Sequence, residues 1–382
     1  MRIDFLWLCK PSLNNIFVFK IEKLKVLHII NSLHMGGAEK LLAETLPILA
    51  DKGIEVELLL LNGQDTFLKQ WLIERGVIIH ERRRKYYNPF YIVTIARQFV
   101  HYDLIHVHLF PAQYFAALAK ILARNKNTAM VFTEHSTSNR RLKNKKLHLI
   151  ERWIYAQYNS IICITPEVRL VLKQSFLLLD SKLPVIRNGI NLVAIKSAVK
   201  ANRDNFGYNV HDKLLIMVAA FREEKDQDTV VAALATLPDM YKLIFVGDGQ
   251  RRQIVERQAE DKGVSERISF LGIRQDVYSL LKMADIAILS SHWEGFGLAA
   301  AEAMAAGIPV IASNVPGLAQ VVKGGGILFE KGNAQDLKDK IIYLENTERA
   351  TEVGDQGREK SKQYDVEKMV QQTIDLYHRL LS

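Results

Sequence analysis

The chain reads as a series of short apolar runs, each closed by a polar or glycine-bearing turn and followed by a stretch of helical spacing. In the first half the runs are KVLHIIN (25–31), EVELLLL (55–61), VIIHE (77–81), LIHVHLF (104–110), VFTEHS (131–136) and SIICITP (160–166). The alternation restarts with LLIMVAAF (214–221) and continues through KLIFVGDGQ (242–250), RISFLGIRQDV (267–277), 286–290, 309–312 and GGGILF (324–329). Most runs are continuously apolar, as parallel strands covered on both faces by helices must be. Helices are expected over Ala38 to Asp51, up to Glu74, around Tyr91 to Val100, and from Val366 to Leu381, where Val370, Ile374, Tyr377 and Leu381 share one face. Strand and helix alternating in two series predict an α/β protein, and 382 residues suit two domains.

Composition changes this picture little. With 48% hydrophobic and 24% charged residues the chain is that of an ordinary globular protein. Two cysteines, Cys9 and Cys163, are too few for a disulfide framework, so a reducing cytosol is expected. No run of about 18 apolar residues argues for a spanning helix. Asp4, Lys10 and Pro11 interrupt the apolar start, and residues 1–23 are expected to form an extension ahead of the first strand.

Charge says more. The net charge of +9 divides into 27 Lys+Arg against 15 Asp+Glu in residues 1–190, and 24 against 27 in 191–382. The first half therefore carries +12 and the second −3, which suggests that one half faces an anionic surface. No helix-turn-helix, zinc-finger or aromatic RNA-binding pattern accompanies the charge, so nucleic acid is not expected. Basic residues gather at Arg82 to Lys85 and at Arg140, Arg141, Lys143, Lys145 and Lys146. The second group precedes an amphipathic segment whose Leu149, Ile150, Trp153 and Ile154 are expected to pack inward. The basic segment itself would meet anionic headgroups, each Lys or Arg contributing about 1 kcal/mol near such a surface.

Chemistry concentrates in WEGFGLAAAEAMAAGIPVIASNVPG, residues 293–317. A strand ends at Ser290, a Gly-Phe-Gly turn follows Glu294, and LAAAEAMAA makes a helix stopped by Gly307 and Pro309. Such a turn points unpaired N–H groups, here at Phe296, Gly297 and Leu298, toward a site for phosphate or hydroxyl oxygens. Glu294 stands at a strand's C-terminal end, where open α/β sheets bind ligands. Glu302 lies roughly one and a half turns into the helix. A carboxylate can accept from a vicinal pair of hydroxyls, so the two suit a ligand with two diols.

The spacing of Glu294 and Glu302 within EGFGLAAAEAMAAGIPVIAS resembles the signature of retaining GT-B glycosyltransferases of family 4. The resemblance covers about residues 24–382 and is strongest over 214–330. It implies two Rossmann-like domains facing across a cleft: 24–190 on the acceptor side, joined by the terminal helix 366–382, and 191–365 on the donor side. It also implies transfer of a sugar from a nucleotide donor such as a UDP- or GDP-sugar, with Glu294 near the sugar hydroxyls and Glu302 on the ribose. Gly36 and Gly37, in a GGAE sequence also found in family members, would approach the donor diphosphate; from spacing alone they could equally form a tight turn. His135, in a T-x-H pattern, resembles the histidine that faces the donor sugar. Arg222 and Lys225 resemble the diphosphate ligands, although alone they would read as a solvated charge run. Gly272 to Arg274 stand where members place the base, and PVIRNGIN (184–191) resembles the interdomain crossing, with Asn191 in place of the usual Asp.

Two metal patterns compete weakly. His106 and His108 alternate with apolar residues and share a face, but no Cys or carboxylate completes a set. Asp226-Gln227-Asp228 matches the D-x-D metal pattern of the unrelated GT-A enzymes. No metal and no other cofactor is expected. The alternatives to sugar transfer are a nucleotide-sugar epimerase on the same scaffold and a non-catalytic sugar-nucleotide-binding protein. The acceptor is expected to be a glycan or lipid-linked precursor of a capsule, O-antigen or exopolysaccharide, and its identity has no readable code in the loops.

Overall fold

The computed structural model describes residues 23–34, 36–82, 87–125, 127–136 and 144–382. The expected extension at residues 1–22 therefore lies outside the described residues, as do Arg83, Arg84, Lys85, Arg140, Arg141, Lys143 and the side chain of Lys145.

Two six-stranded sheets form, and every strand pair in both is parallel. The first contains β1 (Lys25–Ile30), β2 (Glu55–Leu60), β3 (Ile78–Glu81), β4 (Leu104–His108), β5 (Ala129–Glu134) and β6 (Ser160–Cys163) in the order 3-2-1-4-5-6. The second contains β7 (Lys213–Val218), β8 (Tyr241–Val246), β9 (Ile268–Phe270), β10 (Ile286–Leu289), β11 (Val310–Ser313) and β12 (Ile327–Phe329) in the order 12-11-10-7-8-9. Numbered within its own half, the second sheet repeats the order of the first. The chain thus holds two doubly wound α/β units, each with a switch point where its first and fourth strands pair and the loops diverge.

The strands are shorter than their apolar runs because the runs continue into the loops that carry function. β4 stops at His108, since Leu109 adopts φ 62°, outside the extended region. β7 stops at Val218, and Ala219 N donates to Val246 O at the end of β8 while Phe221 N donates to Asp248 O just past it.

The terminal helix Val366–Leu381 begins at Asp365, whose side chain caps Glu367 N. Its Val366, Val370, Ile374 and Tyr377 pack with Val26, Leu46 and Leu49 of the first half, while Leu381 is left at the rim. The bridge between Ile190 and Asp365 marks where the chain passes between the halves a second time. The last helix of the sequence therefore completes the core of the first unit.

Candidate active site

At the switch point of the second sheet, the loops after β7 and β10 are tied together. Ser290 Oγ donates to the carbonyls of Lys225 and Asp226 at 2.9 and 2.7 Å, and His292 N donates to Glu224 O at 2.8 Å. This brings Lys225 and Glu294 into a direct ion pair, though they lie 69 residues apart. Arg222 is on the same loop, its side chain 63% exposed and only loosely paired with Glu224 at 3.8 Å. Gly297 then caps the helix Leu298–Ala306 with φ 87°, a left-handed conformation open to glycine at little cost. Its missing side chain matters as well, because a Cβ there would stand 2.6 Å from Leu318 Cδ1. Phe296 is buried and stacks edge-on against Tyr364, fixing the turn from below.

The first unit meets this loop face on. Its helix Gly37–Asp51 starts at the switch point between β1 and β4, where Asn31 links the strand ends, donating to Phe110 O at 2.7 Å and accepting from Ala112 N at 3.1 Å. Gly37 faces Leu298, its Cβ position 3.5 Å from Leu298 Cδ1. The His135 carbonyl reaches Gly295 so closely that a Cβ there would lie 2.2 Å from it. Burial pushes the Glu39 carboxyl up, against an opposing pull from Arg222 on the other unit. Gly36, Gly37, His135, Arg222, Lys225, Glu294 and Phe296 to Leu298 thus gather where the two units meet.

Glu302 is buried further along the helix Leu298–Ala306, and its surroundings were not expected from sequence. Lys40 Nζ donates to its Oε1 at 2.5 Å, and Tyr278 OH lies 3.3 Å from the same oxygen. Tyr278 OH is also 3.3 Å from Glu44 Oε1, while Lys40 sits 4.0 Å from Glu44 and 4.8 Å over the Tyr278 ring. Burial works to lower the Lys40 pKa, but Glu302 and Glu44 more than offset it, so the ammonium is held charged. Burial, reinforced by Glu302, lifts Glu44 to about 7. Lys40 was legible only as the residue after GGAE; that it would pair with a residue 262 positions away was not.

Arg274 forms a two-bond pair with Asp276 at 2.8 and 2.7 Å, which sets its guanidinium beside the Phe206 ring. The D-x-D carboxylates are both engaged: Asp226 accepts from Thr229 N and Oγ1, and Asp228 accepts two bonds from Arg251.

His106 and His108 do share a face, and His28 of β1 joins them, with ligand nitrogens within 4.8 Å of one another. Most of these nitrogens already have partners. His106 bonds Tyr377 OH at 2.6 Å and Thr133 Oγ1 at 2.7 Å, and His28 Nδ1 meets His108 Nε2 at 3.1 Å. The rings line a cavity of about 40 Å³ together with His135, Asn188, Thr373 and Tyr377. Burial holds His28 at about 3 and His135 at about 4, and His106 and His108 well below the usual range. Such imidazoles are neutral, and both ring nitrogens of His106 have hydrogen-bond partners. The buried Nε2 atoms of His28 and His135, which have no hydrogen-bond partner among the described residues, border a space large enough for water.

One expectation fails. In the helix His148–Ala156, Leu149, Ile150 and Trp153 do not pack inward; they are 79%, 50% and 41% exposed, and of the four only Ile154 is buried. The helix turns Glu151, Ile154 and Tyr155 to the core instead, because Tyr114 OH satisfies the Glu151 carboxylate there.

Two doubly wound units that meet at a cation, carboxylates and a glycine helix start are the arrangement of a GT-B protein, and comparison agrees. The family described as glycosyl transferases group 1 matches residues 199–360, and the one described as glycosyltransferase family 4 matches 35–193. An uncharacterised glycosyltransferase of Methanocaldococcus jannaschii is 31% identical over 286 residues, covering 73% of this chain and 76% of its own. The Escherichia coli UDP-Gal:alpha-D-GlcNAc-diphosphoundecaprenol alpha-1,3-galactosyltransferase is 26% identical over 260 residues, 64% of this chain and 66% of its own. In fold, the chain resembles Anabaena HepE, solved in complex with UDP and glucose, with a TM-score of 0.82 at 21% identity over 92% of this chain and 99% of that one. The chain belongs to the group 1, family 4 glycosyltransferases.

Proposed function

We propose that the protein moves a sugar, with retention of anomeric configuration, from a nucleotide-diphosphate sugar to an acceptor hydroxyl. The observation that carries this is the juxtaposition of Lys225, Glu294 and the Gly297-capped helix at one switch point, with Glu302 further along the same helix. The bond from the anomeric carbon to the diphosphate breaks, and a bond from the acceptor oxygen forms on the same face. The acceptor's proton passes to the departing diphosphate. Arg222, Lys225 and the helix-start amides stabilise the charge that develops on that leaving group, Glu294 orients the sugar hydroxyls, and Glu302 accepts from the ribose. His135 borders the donor-sugar side. Because these cations already supply the electrostatics and Asp226 and Asp228 are engaged elsewhere, the reaction runs without a metal.

The acceptor is a lipid-linked glycan precursor presented at the inner face of the cytoplasmic membrane. Three features support this. A relative acts on a diphosphoundecaprenol-linked sugar. The first half carries the positive charge excess. An exposed apolar face of Leu149, Ile150 and Trp153 lies beside Lys146 and Arg152, a composition that suits an interfacial helix. No helix among the described residues is long and apolar enough to cross a membrane.

The test is calorimetric titration with UDP, GDP and their sugars, in chelator, of wild type and Glu302→Gln. Replacing the charged acceptor should weaken nucleotide binding by about 1.5–3 kcal/mol. Unchanged affinity would remove Glu302 from the ribose site, and binding only after magnesium or manganese is restored would refute metal independence.

A further inference from the structure

We propose that Lys40 is a positioning residue for donor binding: it reaches across from the first unit to hold the Glu302 carboxylate, so that the grip on the ribose depends on the two units being together. The inference rests on the reading of Glu302 as the ribose acceptor.

Glu302 is almost wholly withdrawn from water, its side chain 6% exposed. An ionised carboxylate in that position needs a compensating charge. Among the described residues Lys40 is the one cation paired with it. That cation comes from the first turn of Gly37–Asp51, directly after the Gly36–Gly37 loop, whereas Glu302 belongs to the other unit. The pair therefore exists only while the units are in contact.

The geometry fits orientation rather than blockage. The Lys40 and Tyr278 contacts both fall on Oε1, and no hydrogen bond from the described residues reaches Oε2. One oxygen is anchored and the other remains for a ligand hydroxyl. The ammonium is itself steered by the Tyr278 ring beneath it and by Glu44. If Lys40 instead competed with the nucleotide, its removal would tighten binding.

A double-mutant cycle decides. Affinity for UDP or GDP, whichever wild type binds more tightly, is measured for wild type, Lys40→Met, Glu302→Gln and the double variant. Lys40→Met should raise Kd about tenfold, the lower end of what one charge-assisted hydrogen bond contributes. Lys40→Arg should recover most of the loss. In the Glu302→Gln background, Lys40→Met should have no further effect, because it acts only through that carboxylate. Unchanged or tighter binding in Lys40→Met, or additive losses in the double variant, overturns the proposal. If Lys40→Met does not fold, Lys40→Gln, which keeps a polar tip without the charge, serves in its place, and its loss must likewise vanish beside Glu302→Gln. A Glu302→Gln variant that binds as wild type does, or wild type that binds neither nucleotide, overturns the ribose reading and this inference with it. A weakened Glu302→Gln beside an unaffected Lys40→Met defeats the role of Lys40 alone.

Discussion

Replacing Gly295 by alanine puts one methyl group into the seam between the two units. The added Cβ would stand 2.2 Å from the His135 carbonyl oxygen and 3.3 Å from Ile164 Cδ1. A Cβ contact below 3.0 Å does not persist, so the carbonyl and the loop must separate by about 0.8 Å, the difference between 3.0 and 2.2 Å. The atom that must move is backbone and cannot swing aside as a side chain would. Gly295 lies between Glu294 and the Phe296–Leu298 turn, so the shift passes directly to the donor loop. A misplacement near 1 Å can cost on the order of 100-fold in rate, and a loss of about 10- to 100-fold in kcat/KM is expected. Stability should hardly change, because the methyl enters a contact between the units and neither hydrophobic core loses volume. Thermal melting beside Leu337→Ala calibrates this: Leu337 is fully buried, and its truncation should cost about 2–5 kcal/mol. Wild-type turnover in Gly295→Ala, or a melting temperature lowered as far as in Leu337→Ala, would refute the reasoning.

Two further outcomes are expected. The buried histidines should make the protein acid-sensitive: His28, His106 and His108 stay neutral when folded, but in the unfolded chain each takes up a proton near pH 6.5. The unfolded state then binds more protons, so stability falls as pH drops from 6.5 toward the folded values, by about 1.4 kcal/mol per unit per histidine; equal urea midpoints at pH 7 and 5 would contradict this. Liposome sedimentation should require anionic lipid, weaken with salt, and drop both when Arg140, Arg141, Lys143, Lys145 and Lys146 become Ser and when Leu149, Ile150 and Trp153 become Ser. Equal sedimentation with neutral and anionic vesicles would defeat membrane docking.

The fold class was legible in the sequence because it is written in local pattern, and the glycine turn and its neighbouring carboxylates were legible as a candidate site for the same reason. Parallel strands covered on both faces must be continuously apolar, so 25–31 and 214–221 declare themselves without knowledge of their neighbours. The Gly-Phe-Gly turn between Glu294 and a good helix former is likewise a local statement. Tertiary structure decided whatever depends on partners distant in the chain. His28 enters the histidine cluster because β1 pairs with β4 in the register that sets it beside His106. Lys40 meets Glu302 only because the two sheets' loops converge. For the helix His148–Ala156 the sequence pointed to one inward face, Leu149, Ile150, Trp153 and Ile154, whereas the structure buries Glu151, Ile154 and Tyr155. Hydrophobicity alone favours the first. The structure takes the second, since Tyr114 satisfies Glu151 and Tyr155 donates to Glu134, and burial is decided by satisfied partners as well as by apolar area.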